Sequence, residues 1–170
     1  NHRIGVRKYN DPNRSTSYRL QIGSKELFKD LAKFGIFQKK SLTVVFPSVP
    51  ERYLGHFVRG YFDGDGCVAL GNYWRKDRNK KHWVLSTTFT SGSRVFLVGL
   101  KNSLLGYIEN ASLREKSNHS GFDLALSPKN GFALFQLMYN NVSSRLFLER
   151  KYKIFIKAFR TLNYKIAGVA

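Results

Sequence analysis

The stretch Phe57–Gly66 reads FVRGYFDGDG and lies in a segment whose apolar residues recur at a spacing close to 3.6. It ends in two carboxylates, Asp63 and Asp65, which alternate with glycines. The pattern predicts a helix that begins with a capping box. In it the Ser48 side chain caps the first turn, and the Glu51 side chain, three residues later, bonds back to the Ser48 backbone N–H. Such a helix would project its acidic end into a cleft.

The composition of the chain limits the classes of function. The chain has 170 residues, enough for one large domain or two small ones, and a formal net charge of +18. This excess of basic residues favours a polyanionic partner, most simply DNA or RNA. The single cysteine, Cys67, excludes an internal disulfide, and we expect it to be a small buried hydrophobe. No apolar run of membrane-spanning length occurs, and nothing in the sequence indicates a compartment.

The acidic end of the helix has a plain alternative, because DGDG is good turn chemistry by itself. A calcium loop of the EF-hand type is excluded, because its twelfth position, counted from Asp63, is Trp74 rather than a glutamate. Gly60 and Gly64 lie four residues apart on one helix face, which predicts close packing against another backbone. In a chain this basic, we interpret the acids as a metal site placed against a phosphate backbone.

The segment Val58–Gly66 resembles the motif of the LAGLIDADG homing endonucleases, and Ser41–Pro47 resembles the lead-in found in members that carry two motifs in one chain. Arg59 and Tyr61 depart from the small-then-aliphatic consensus of the motif. The resemblance implies an α+β fold in which curved antiparallel sheets form a saddle over DNA. Two motif helices would pack side by side at its centre.

The same resemblance implies sequence-specific hydrolysis of phosphodiesters in double-stranded DNA, with Mg²⁺ or another divalent cation such as Mn²⁺. By position in the motif, Asp65 would be the catalytic acid and metal ligand, and the Gly64 carbonyl would offer a second oxygen. A basic residue beside the reactive phosphate would correspond to Lys129 or Lys25, each of which follows a strand and opens a helix. Two other functions on this fold stay open, namely a DNA-binding regulator that does not cut and an intron RNA maturase. The target site stays open too, as does an origin in an intron, an intein or a free-standing gene.

An internal repeat organises the chain. An offset of 104 residues superposes Tyr18–Phe34 on Phe122–Met138, and each segment has the pattern of a strand followed by an amphipathic helix. Residues 1–38 would then be the C-terminal part of a first repeat, residues 39–50 a linker, and residues 51–170 a complete second repeat with a C-terminal helix.

The repeat also predicts that the first motif lies before the first residue of this sequence. We therefore expect the chain to be the C-terminal part of a longer protein. Cutting both strands requires an equivalent acid from a second motif helix. The chain alone would be inactive or would only nick DNA, unless it regains an upstream repeat or forms a homodimer through the motif helix.

Two predicted hairpins each have a polar face suited to DNA. A two-stranded ribbon fits the major groove, where side chains read base edges while a charged tip contacts phosphate. The alternative is a solvated hairpin whose lysines guard against aggregation. The predicted DNA-binding residues are Arg3, Arg7, Arg19 and Gln21 in the first hairpin, Arg75, Lys76, Arg78, Lys80 and Lys81 at the tip of the second, and Ser86, Thr88 and Thr90 on its face.

Overall fold

The computed structural model describes residues 2–37, 40–140, 142 and 146–164. The chain divides into two compact units, Asn1–Phe37 and Gln38–Ala170, which are described separately. Both units combine antiparallel strands with helices, so the predicted α+β class is confirmed. Within the described residues, no helix has both the length and the apolar character needed to cross a membrane.

The first unit is a hairpin followed by a helix, as the alternating pattern predicted. In the hairpin, Gly5 pairs with Arg19, so Arg7 and Arg19 share one face while Ile4 and Val6 lie on the other. The predicted residues Arg3 and Gln21 lie just outside the paired strands. The elements of this unit are β1 (Ile4–Arg7), β2 (Ser17–Leu20) and α1 (Lys25–Lys33).

The second unit contains a four-stranded antiparallel sheet in the order β3-β4-β6-β5, with helices packed against one of its faces. Alternation along β4 turns Leu85, Thr87 and Phe89 into the core, where Phe62 and Phe155 meet them. Its elements are α2 (Glu51–Asp65), β3 (Gly66–Arg75), β4 (Lys80–Ser91), α3 (Arg94–Ser103), β5 (Ala111–Glu115), β6 (Phe122–Leu126), α4 (Pro128–Tyr139) and α5 (Glu149–Thr161).

The motif helix α2 ends at Asp65 as predicted, but its beginning differs from the prediction. Its N-cap is Pro50, which has no side-chain hydrogen bond to offer, so the capping box predicted from Ser48 and Glu51 is wrong. Ser48 lies two residues too early in the chain to cap this helix. The Glu51 carboxylate instead accepts a hydrogen bond from the Tyr107 hydroxyl at 3.1 Å.

The segment predicted to be a linker packs on the second unit from residue 40 onward. Val44, Phe46 and Val49 contact its core, and the Ser93 hydroxyl donates to the Val44 carbonyl at 2.7 Å. A Cβ added at Gly99 would lie 2.4 Å from the Phe46 Cβ, so this contact requires a glycine in α3. The role of the segment as a connection between two repeats stays a prediction.

A glycine that the sequence patterns did not single out allows α2 to approach α4. A Cβ added at Gly55 would lie 2.4 Å from the Leu137 carbonyl oxygen, which leaves no room for a larger residue. Gly60 and Gly64 are exposed, and among the described residues nothing lies within 4 Å of a Cβ added at either position. The close packing predicted for these two glycines is therefore not made inside this unit and stays a prediction for a partner helix.

Candidate functional site

The site is built around the C-terminal end of α2, where the two acids of the motif point in different directions. The Asp65 carboxylate is exposed, and no described residue donates a hydrogen bond to it. The Asp63 carboxylate is half-buried and accepts a hydrogen bond from the Leu148 backbone N–H at 3.0 Å, immediately before α5. Asp63 is thus used within the fold, while Asp65 is available to a ligand.

Tyr61 attaches this end of α2 to the sheet. Its hydroxyl donates to the Thr90 carbonyl at 2.7 Å, and its ring stacks on Phe89. Burial raises the pKa of Tyr61 to about 12, the neighbouring Ser91 hydroxyl opposes that rise, and the negative charge of Asp65 adds to it. The departure from the consensus at Tyr61 therefore has a physical role, because the phenol ties the motif helix to β4.

Lys151 of α5 attaches the same end of α2 to the helical layer. Its buried ammonium donates to the carbonyl oxygens of Phe62, Asp63 and Gly66. Burial lowers the pKa of Lys151, and the neighbouring Arg150 lowers it further. The sequence patterns did not single out this residue, although a lysine within the apolar stripe of α5 was an available signal.

Arg59 attaches the middle of α2 to the end of α4. Its guanidinium is buried and donates to the carbonyl oxygens of Met138 at 2.8 Å and Leu146 at 3.2 Å. The third contact, at 2.9 Å, is with Nδ1 of His56. The Met138 carbonyl lies in the last turn of α4 and carries partial negative charge, which helps to stabilise this buried cation. Arg59, which departs from the consensus of the motif, therefore anchors α2 to the end of α4.

The sheet surface that faces away from the helices is termed the open face. Strand register places mainly small and uncharged side chains at its centre, which leaves room for a partner to approach the backbone. Cys67 lies on this face and is exposed, so the prediction that it is buried is wrong. Alternation along β3 turns Val68 inward and therefore Cys67 outward. The open face comprises Cys67, Ala69, Gly71, Tyr73, His82, Val84, Ser86, Thr88, Thr90, Ser112, Arg114, Asp123 and Ala125.

Asp65 adjoins one end of the open face. Gly66, which directly follows Asp65, is the terminal residue of β3 in the ladder and pairs with Phe89, and the next residue of β4, Thr90, pairs with Asp123. The Thr90 hydroxyl donates to the Asp123 carboxylate at 2.6 Å, and the Lys116 ammonium lies 3.8 Å from the same carboxylate. The Asp65 end of the face therefore has a polar row already linked by hydrogen bonds.

The far end of the open face is the basic turn between β3 and β4. The hairpin was predicted, and the structure extends its strands to Gly66–Arg75 and Lys80–Ser91. Arg75 forms two hydrogen bonds with Asp77, at 3.0 and 2.9 Å, and this contact holds the pKa of the Asp77 carboxyl below its ordinary value. The other basic residues predicted at this tip are Lys76, Arg78, Lys80 and Lys81, all of them exposed.

Of the two predicted catalytic lysines, Lys129 belongs to the same unit as Asp65, and the structure does not place it beside that residue. Lys129 follows β6 at the end opposite to the row that contains Asp123, and its ammonium forms an exposed ion pair with Glu109. This pairing raises the pKa of Lys129. Lys25 begins α1 in the first unit and is exposed.

The oxygen atoms at Asp65 are of the kind that binds Mg²⁺, but they are too few to fill its coordination shell. Among the described residues, no group of three His, Cys, Asp or Glu side chains could hold a metal ion. Mg²⁺ retains several waters and is usually bound through one or two carboxylates together with substrate phosphates. An exposed aspartate next to a glycine carbonyl meets the protein's share of that requirement, so the residues present fit a divalent cation shared with a phosphate.

The fold resembles that of a solved protein–DNA complex. The similarity is to a structure described as the group I intron-encoded homing endonuclease I-CeuI complexed with DNA, with a TM-score of 0.50 and 15% sequence identity. It covers 81% of this chain and 64% of that chain, so the present chain spans somewhat less than two thirds of its neighbour. No protein-family model and no curated protein matches the sequence. At this identity the similarity concerns the fold.

Proposed function

We propose that the chain acts as a site-specific DNA endonuclease of the homing type, which hydrolyses phosphodiesters with a divalent metal. The observation that carries the proposal is the position of Asp65. It is exposed beside the open face, at the end of a helix whose C-terminal turn is fixed by Tyr61, by Lys151 and by the contact of Asp63 with α5. The fold shared with a homing endonuclease and the net charge of +18 support the same function.

In the proposed site, Asp65 and the Gly64 carbonyl would hold Mg²⁺ or Mn²⁺ together with a phosphate of the DNA. When bound, such a metal polarises the phosphate and lowers the pKa of a water molecule. The protein's own contribution is to present one carboxylate at a fixed position against the DNA backbone. A role for Lys129 beside the reactive phosphate would require it to leave Glu109 and reach the other end of β6.

Double-stranded DNA would lie along the open face in this proposal. Ser86, Thr88 and Thr90 face outward on β4, a central strand of the sheet, where hydroxyls can contact base edges, although that of Thr90 already donates to Asp123. The basic turn Arg75–Lys81 would contact phosphates and set the salt dependence of binding. The basic face of the first hairpin would add phosphate contacts through Arg7 and Arg19.

Cleavage of both strands would require a second motif helix. The exposed side of α2 carries Tyr53, Gly60 and Gly64, which lie on one helical face because they are spaced seven and four residues apart. Two glycines on this face allow another helix backbone to approach closely. The partner would be the same face of a second copy of this chain, or the motif helix of a repeat upstream in a longer protein.

The test is cleavage of a randomised duplex library in Mg²⁺, with the fragments sequenced at their ends. Asp65→Asn is compared with Asp30→Asn, an exposed acid in the last turns of α1 that serves as a matched control. We expect the parent and Asp30→Asn to cut recurrent sites and Asp65→Asn to bind the same DNA without cutting it. Binding without cleavage by all three proteins, both as this chain at concentrations that allow dimers and in a form extended upstream by a first repeat, would overturn the enzyme assignment in favour of a regulator or maturase.

A further inference from the structure

Lys151 has surroundings that are unusual for a lysine. It is only 3% exposed, and lysine side chains are almost never buried so fully unless they are paired. Its partners are not carboxylates but three backbone carbonyls, those of Phe62 at 2.5 Å, Asp63 at 2.9 Å and Gly66 at 2.5 Å. An ammonium group has three N–H donors, so all of its hydrogen-bonding capacity is used inside the protein. Lys151 is therefore unavailable to a DNA phosphate.

The three acceptors enclose the position of Asp65. Phe62 and Asp63 belong to the last turn of α2, while Gly66 begins β3, so the ammonium bonds to the chain on both sides of Gly64 and Asp65. The turn between these acceptors is rich in glycine, the residue with the most backbone freedom. Together with Tyr61 and the contact of Asp63, this cation restrains the end of α2 and the start of β3.

The contact is reciprocal. Lys151 lies in the first turn of α5 and donates to carbonyls in the last turn of α2, of which that of Phe62 also accepts from the Gly66 N–H. In return, Asp63 in the last turn of α2 accepts from the Leu148 N–H at the start of α5. The negative end of one helix dipole thus meets a cation, and the positive end of the other meets an anion. Both interactions fix the end of α2 relative to α5.

We propose that Lys151 is the positioning residue of the site at Asp65. It sets the position of the Asp65 carboxylate and the Gly64 carbonyl without touching metal or DNA. The inference rests on the proposed function, because it concerns the same metal site. Residues that hold metal ligands in position without binding the metal typically lower metal affinity by about 10–100-fold when they are replaced.

The test is titration with Mn²⁺ of the protein bound to a duplex of random sequence, which supplies the phosphate and requires no knowledge of the DNA target. Binding is followed by electron paramagnetic resonance, with the duplex alone as the baseline. The proteins are the parent, Lys151→Met, Asp65→Asn and the control Lys157→Met, which removes an exposed lysine from the same helix. We expect Lys151→Met to bind Mn²⁺ at least about tenfold more weakly than the parent, and Lys157→Met to bind within twofold of it. Titrations are made at a temperature where circular dichroism shows each variant to be folded. If Lys151→Met does not fold, Lys151→Gln, which keeps one donor group, replaces it with the same expected loss.

The controls separate the two hypotheses. Loss of binding in Asp65→Asn with parental affinity in folded Lys151→Met would overturn the positioning role and leave the metal site intact. Equal affinity in the parent and Asp65→Asn would instead show that Asp65 is not a ligand, which would refute the metal site itself. Loss of binding in both variants, with Lys157→Met unaffected, is the result expected for a positioning residue.

Discussion

Alanine at Gly55 and alanine at Gly60 should change the stability of the second unit in opposite directions, although both positions lie inside α2. In a helix interior, alanine is about 1 kcal/mol more favourable than glycine. Among the described residues, nothing lies within 4 Å of a Cβ at Gly60, so Gly60→Ala should gain this amount. At Gly55 the new carbon would lie 2.4 Å from the Leu137 carbonyl oxygen. That is roughly 1 Å shorter than ordinary C···O contacts of about 3.3–3.6 Å.

Relief of this overlap requires α2 and α4 to move apart. Overpacking of this kind typically costs about 1–3 kcal/mol, so after the gain in helix propensity Gly55→Ala should lose about 0–2 kcal/mol. The two variants should differ by about 1–3 kcal/mol in the free energy of unfolding. Each kcal/mol corresponds to about 2–4 °C in Tm for a domain of this size. Urea and thermal unfolding followed by far-UV circular dichroism measure both quantities, and equal stability of the two variants would refute the close approach of α2 to α4.

Gly60→Ala has a second expected effect that depends on the proposed function. If the face with Gly60 and Gly64 packs against a second motif helix, the added methyl group enters that interface and separates the two backbones. The variant should then be more stable as a folded chain but associate about tenfold more weakly or worse, which corresponds to about 1.4 kcal/mol or more. Analytical ultracentrifugation measures the association. A more stable variant that associates and cuts DNA like the parent would show that Gly60 lies outside the helix interface.

Three further predictions concern charge and proton binding. Replacement of Lys80 and Lys81 together by alanine should reduce the slope of log K against log salt for duplex DNA by roughly 2, and an unchanged slope would place the tip away from phosphate. The pKa of Tyr61 is raised from 10.0 to about 12, so the stability that its protonated form contributes is complete below pH 10 and is lost as the pH rises through 12. Tyr61→Phe should therefore lose less stability than the parent between these pH values in urea titrations, and equal losses would contradict the assigned environment. Asp63→Asn should destabilise the fold by about 1–2 kcal/mol, because it removes the negative charge that accepts from the N–H at the start of α5. Asp65→Asn should leave stability unchanged or raise it by up to about 1 kcal/mol, because it removes a charge from the negative end of α2. Thermal unfolding of both variants checks this, and the reverse order would be contrary to the assigned roles.

The sequence predicted the elements whose formation depends on local pattern. Alternation of apolar and polar residues located both hairpins, and the 3.6-residue spacing located the motif helix with its end at Asp65. The same pattern contained the correct answer for Cys67, because Val68 is apolar and neighbours in a strand face opposite sides. The prediction that Cys67 is buried was based on residue type, whereas the alternation of side chains along β3 places Cys67 on the exposed face.

The contacts that shape the site could not be predicted in the same way, because they join residues far apart in the chain. Arg59 and Met138 are separated by 79 residues, and Lys151 and Phe62 by 89. A local pattern can show that a charged residue lies within an apolar stripe, but it cannot identify the carbonyls that stabilise the charge. The close approach at Gly55 is hidden for a similar reason, because the sequence shows a glycine in the helix without showing the neighbouring backbone of α4.

The different roles of the two motif acids follow from helix geometry. An α-helix turns about 100° per residue, so Asp63 and Asp65 project roughly 200° apart and cannot serve the same site. On the side of Asp63, the N-terminus of α5 supplies an N–H donor and the positive end of a helix dipole. Asp65 is left at the negative end of α2, where a carboxylate is unfavourable, and no described residue donates to it. A cation from outside the chain would relieve this imbalance, which is the electrostatic reason that we propose Asp65, rather than its neighbour, as the metal ligand.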